Sequence, residues 1–163
     1  MEIIREPQID IRPEQIYMGI RVISPFRGMS QMIGKISKEM TIWVKEHDVS
    51  VVGPPFLRYH VIDMRGKMEI TFGFPVLAAL PDDGRVTADA LVAGRYASLV
   101  YRNGGVAGNR ALIEWVRGNG MDFDRWDTAE GDNFRCRYET YLTDPKLERR
   151  KTRWDIEVAI KLV

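Results

Sequence analysis

The 163-residue sequence predicts an α+β fold: a tandem strand-helix-strand-strand repeat whose antiparallel sheet carries two helices on one side, with a cleft between the halves. Three observations predict it. Residues 15–23 and 95–103 read as strands, the first with its apolar residues alternating at period two. Each is followed by apolar residues at spacings of three and four, the pattern of a helix with one buried face. Trp43-Val44-Lys45 and Trp115-Val116-Arg117 then stand at the same place near the ends of the two helical stretches, 72 residues apart, which marks a duplication.

In QIYMGIRVI, Ile16, Met18, Ile20 and Val22 share one face, and Ser24-Pro25 supplies a helix start. Met29, Met32, Ile33, Ile36, Met40 and Trp43 trace a long amphipathic helix that ends near His47. Pro54-Pro55 breaks the chain before FLRYHVID and KMEITFGF, two strands joined by a turn at Gly66. That completes repeat one, about residues 9–76. Pro81-Asp82-Asp83-Gly84 marks the linker, and VTADALVAG leads into the strand RYASLVYRN, stopped by Gly104-Gly105. Ala107, Ala111, Leu112, Trp115 and Val116 trace a shorter helix closed by Gly118-Asn119-Gly120. A polar loop with Trp126 precedes the strand FRCRYETYL, Pro145 interrupts, and WDIEVAIKLV ends repeat two, about 85–163. The whole chain, 1–163, reads as a single domain.

Composition narrows the function. The 24 basic and 23 acidic residues are interleaved, without the basic stripe or reading helix of a nucleic-acid binder, so no direct nucleic-acid partner is expected. No apolar run approaches the ~20 residues needed to span a bilayer. The segment MEIIREPQIDIRPEQ has neither the apolar core nor the cleavage region of a signal peptide. One cysteine, Cys136, and two histidines, His47 and His60, supply neither a disulfide nor a metal site; a cytoplasmic protein without cofactor or metal is expected. The glycines at 104, 105 and 108 lack the Lys-Ser/Thr ending of a phosphate loop and read as a turn.

Alternation counted through FRCRYETYL places Phe134, Cys136, Tyr138, Thr140 and Leu142 on the helix-facing side, and Arg135, Arg137, Glu139 and Tyr141 on the other. The cleft is accordingly expected on the face away from the helices. Spacing alone leaves Glu139 as either a pocket carboxylate or half of an ion pair with Arg137 or a neighbouring-strand cation. Arg137 orients or neutralises Glu139, or is solvated. Tyr17, Phe56, Tyr101 and Tyr141 are pocket candidates because alternation can turn them from the helices. Trp126 is a lid over the cleft or a peg at the fold's edge. His60 reads as a hydrogen-bonded strand residue, and Cys136 as core.

VGPPFLRYH, GFPVLAALPDDGRV, LVAGRYASLVYRNGG, ALIEWVRGNG and RYETYLTDP together resemble the GyrI-like domain, met also as the effector-binding half of AraC-type and BmrR-type transcription regulators. The most specific piece is Tyr138-Glu139-Thr140-Tyr141 with Thr143-Asp144-Pro145, similar to the family's Glu-x-Tyr strand and Asp-Pro turn. The resemblance covers nearly the whole chain, without an attached helix-turn-helix. It implies an aromatic cavity between the halves, reached by Glu139, for hydrophobic and cationic compounds, as in multidrug or toxin binding. It also implies two alternatives: hydrolysis of cyclopropane-containing electrophilic toxins by Glu139 with Tyr141, and a protein-interaction role of the gyrase-inhibitor kind or with a separate regulator. The family's His-x-Gly-Pro-Tyr turn is replaced here by Arg102-Asn103-Gly104-Gly105-Val106, and the last strand lacks the common proline.

Overall fold

Ten antiparallel strands join in one sheet with two helices, in a computed structural model describing residues 1–163. The strands are β1 (Glu2–Arg12), β2 (Gln15–Pro25), β3 (Phe56–Ile62), β4 (Lys67–Pro75), β5 (Val86–Leu91), β6 (Gly94–Arg102), β7 (Arg125–Thr128), β8 (Gly131–Phe134), β9 (Arg137–Tyr141) and β10 (Asp155–Lys161). Helix α1 (Met29–Glu46) follows β2, and α2 (Gly105–Gly118) follows β6. The order across the sheet is β1-β6-β10-β9-β3-β4-β2-β5, with the β7–β8 hairpin hung from the end of β3.

The repeat is visible in this order. The first unit contributes β2-α1-β3-β4 and the second β6-α2-β9-β10, and in each the middle strand of the three in sequence comes to the centre of the sheet. There β9 pairs with β3. Helix α1 packs on β2 and β4, and α2 on β6, β10 and β1. Both lie on the same face, because Leu57 beside the α1 core, Glu139, and Val158 in the α2 core stand directly opposite one another on adjacent strands. Ile36 and Met40 of α1 and Leu112 and Val116 of α2 are fully buried against the sheet, as their spacing requires. No helix of the structure is long and apolar enough to cross a membrane.

The sheet is strongly curved. Arg58 on β3 donates to the Ala90 carbonyl on β5 at 2.9 Å, although three strand spacings in a flat sheet would separate them by roughly 14 Å. The curl encloses an apolar cluster on the face away from the helices, with Tyr17, Phe56, Leu91, Tyr96, Cys136, Tyr138 and Ala159. On the outer face α1 and α2 cover the flanks, leaving a groove between them above β9 and β3.

One strand was not foreseen and three expectations are corrected. Residues 2–12 form an edge strand: Asp10 and Arg12 alternate onto the inner face, where Arg12 bonds Glu157 at 2.9 Å and Tyr138 at 2.8 Å. Residues 86–91 are a strand of their own, paired with β2. The polar loop around Trp126 contains the β7–β8 hairpin. The alternation through 134–142 is interrupted by a bend at Arg135 and Cys136. Phe134 therefore packs under α2, whereas Cys136 and Tyr138 belong to the inner cluster.

Candidate functional site

The bend sets the phase of β9. Arg137, Glu139 and Tyr141 lie on the helix-bearing face of the sheet, in the groove, and not on the opposite face where alternation counted from Phe134 places them. The inner face carries its own aromatic core with a cavity of about 280 Å³ at its border, while on the outer face the two helices pack on different strands.

Glu139 is 8% exposed and is held at both oxygens. Tyr101 donates its hydroxyl to Oε2 at 2.7 Å, and Asn109 donates Nδ2 to Oε1 at 2.9 Å. Tyr101 stands on β6 under α2, its ring pressed on the helix at Gly108; a Cβ there would come within 2.5 Å of Cγ. Only a residue without a side chain lets α2 descend far enough for Asn109, one position on, to reach the carboxylate. Arg137 does not pair with Glu139 directly. Its Nη2 donates to Asn109 Oδ1 at 2.8 Å, making a chain from Arg137 through the Asn109 amide to Glu139 and Tyr101.

Aromatic rings build the walls. Tyr141 lies 6.2 Å from Phe72 and 6.0 Å from Trp154, centroid to centroid, and Phe74 packs edge-on to Phe72. Tyr59 and Phe134 lie beneath the Arg137 guanidinium at 5.9 and 4.7 Å. Burial first, and then the Glu139 charge, push the phenols of Tyr59, Tyr101 and Tyr141 well above the usual tyrosine range. They remain neutral hydrogen-bond donors. Burial lowers the Arg137 pKa, with Glu139 acting in the opposite sense.

Of the residues singled out from sequence, the groove brings together Glu139, Tyr141, Arg137 and Tyr101, the last from beneath a helix and not turned away from it. Tyr17 and Phe56 lie on the other face, edge to face at 5.0 Å, and do not share a cavity with Glu139. Phe56 instead borders a cavity of about 280 Å³ with Arg12, Leu91 and Tyr138. Trp126 sits on the β7–β8 hairpin with the Arg135 guanidinium over its ring at 4.7 Å, a peg at the fold's edge. Asn109, Tyr59, Phe72, Phe74 and Trp154 were not singled out; only Asn109 carries a sequence signal, as a polar residue one position from the glycine that α2 packs on.

Three solved structures place this architecture. The C-terminal domain of EcmrR aligns over 99% of this chain and 99% of its own, at 18% identity and a TM-score of 0.68. A conserved protein from Listeria innocua aligns over 98% and 93%, at 13% identity and 0.68. SAV2435, in a structure bound to tetraphenylphosphonium, aligns over 97% and 94%, at 10% identity and 0.58. No family model and no curated protein sequence matches the chain. The chain shares the fold of these structures, which is consistent with the GyrI-like resemblance of its sequence.

Proposed function

We propose that the chain is a small-molecule-binding protein whose ligand site is the groove between α1 and α2, and that it takes hydrophobic compounds carrying a positive charge. One observation supports this reading above the rest: a buried carboxylate, Glu139, fixed by Tyr101 and Asn109 and flanked by rings from both halves of the chain. Ring faces attract cations, and a carboxylate with little access to water attracts them more strongly than one at the surface. The groove also lies where pockets commonly form, between two packed units. The fold similarity to a tetraphenylphosphonium-bound protein is compatible with the same ligand chemistry.

Tetraphenylphosphonium and tetraphenylborate have the same shape and opposite charge, so calorimetry with the pair isolates the electrostatic part. The phosphonium binds more tightly, and Glu139→Gln, which keeps the side-chain volume, lowers its affinity at least about tenfold. Equal binding of both ions, or a Glu139→Gln protein with wild-type affinity, would refute the reading. Incubation with an electrophilic cyclopropane compound, recovered unchanged or as its water-addition product, separates binding from hydrolysis at Glu139 and Tyr141.

A further inference from the structure

Arg137 is the incompletely bonded group of the groove. A guanidinium carries five N–H donors in a planar fork. That of Arg137 makes one hydrogen bond, to Asn109 Oδ1, and its Nε is buried without a partner. Arg58, buried on the other face, also has an unpartnered Nε, but its terminal nitrogens make three hydrogen bonds, to Tyr17, Ala90 and Arg135. Arg137 is thus a positive charge set among rings, joined by hydrogen bonds to Glu139 only by way of the Asn109 amide.

Asn109 shows what the two charged residues recognise together. Its carbonyl oxygen accepts from Arg137 while its N–H donates to Glu139, so a neutral dipole lies between a cation and an anion with each end correctly matched.

We propose that the groove selects dipolar ligands: hydrophobic molecules that present a carboxylate or equivalent anionic oxygen to Arg137 and a positive centre to Glu139. This rests on the groove being the ligand site, as argued above, and adds a second pole to it. Arg137, Glu139 and Tyr141 follow one another on a single face of β9, with Cα atoms roughly 7 Å apart at each step. A ligand with oxyanion, positive centre and aromatic body in that order lies lengthwise along the strand and takes the place of the Asn109 amide. A simple cation satisfies Glu139 alone and sits beside a like charge, which weakens it. An oxyanion completes the guanidinium fork in the two-pronged geometry that arginine favours.

Rhodamine B, a zwitterion at neutral pH, and its ethyl ester, a cation with the same ring system, differ at the carboxyl group, where the ester replaces the anionic oxygen with a neutral ethoxy group. Fluorescence anisotropy titrations of wild type, Arg137→Gln, Arg137→Lys and Tyr141→Ala form the test. Wild type binds the zwitterion about tenfold more tightly than the ester, the size of one charge-assisted hydrogen bond. Arg137→Gln removes or reverses that ratio by weakening the zwitterion and strengthening the ester, Arg137→Lys keeps its sign, and Tyr141→Ala weakens both dyes. The wild-type ratio decides the matter even if Arg137→Gln fails to fold. Equal binding of the dyes, or preference for the ester, with Tyr141→Ala still weakening both, overturns the dipolar inference alone. Absence of binding, or indifference of both dyes to Tyr141→Ala, overturns the groove as the site and the inference with it.

Discussion

Gly108→Ala tests the packing on which the whole groove depends. The added methyl would lie 2.5, 2.6 and 3.0 Å from Cγ, Cδ1 and Cδ2 of Tyr101, inside any tolerable contact. Tyr101 is buried on β6 and hydrogen-bonded to Glu139, so its ring has nowhere to swing. The helix must rise or the ring must tilt, and either strains the bonds of Tyr101 and Asn109 to the carboxylate. Overpacking of this kind costs about 1–3 kcal/mol, and weakening a hydrogen bond to a buried charge adds about 1.5–3 kcal/mol. The gain in helix propensity from glycine to alanine returns about 1 kcal/mol. A net loss of about 1.5–5 kcal/mol is expected, a fall of roughly tenfold or more in the folding equilibrium constant. Gly118→Ala, in the same helix with nothing within 4 Å of its Cβ position, serves as the control and should be neutral or slightly stabilising. Urea denaturation of the two variants beside wild type reads both quantities. A Gly108→Ala protein as stable as Gly118→Ala would refute the argument that α2 is seated on the Tyr101 ring.

Two further outcomes follow from the structure. His60, bonded to Thr71 at 2.7 Å, has its pKa pushed down to about 3 by burial first and then by Arg58 and Arg21. The unfolded histidine takes up its proton near pH 6.5 and the folded one does not, so stability falls as pH drops from 6.5 toward 3, by up to about 1.4 kcal/mol per unit. His60→Gln should flatten that slope in urea melts between pH 7 and 4.5, and an unchanged slope would show that other groups cause it. Trp126→Ala should leave ligand affinity within twofold of wild type while costing less than about 1 kcal/mol, as expected of a half-exposed ring at an edge; a large loss of affinity would restore the lid reading.

The order of the main elements was legible because it rests on local patterns. The face of α1 is written in Met29, Ile33, Ile36, Met40 and Trp43, and the breaks in Pro54-Pro55, Gly66 and Gly104-Gly105, each of which acts within a few residues. Arg137, Glu139 and Tyr141 share a face for the same reason, since alternation within five residues needs no partner. Strand β1 was not legible. Its charged residues are half of an alternating pattern whose partners, Ser98, Tyr138 and Glu157, lie about a hundred residues or more away.

What the sequence by itself determined is which side chains point together; what only the tertiary structure decided is what each face meets. Strand β6 is buried on both sides, with Tyr96 and Ser98 inward and Leu99 and Tyr101 under α2, so its pattern names no helix side. Across Arg135 and Cys136 the period slips, and a count carried through the bend exchanges the two faces. Curvature completed the assignment by spending Tyr17 and Phe56 on an inner core and opening the groove outside. It is set by the summed twist of ten paired strands and by contacts such as Arg58 to Ala90, interactions between residues far apart in the chain that no local period records.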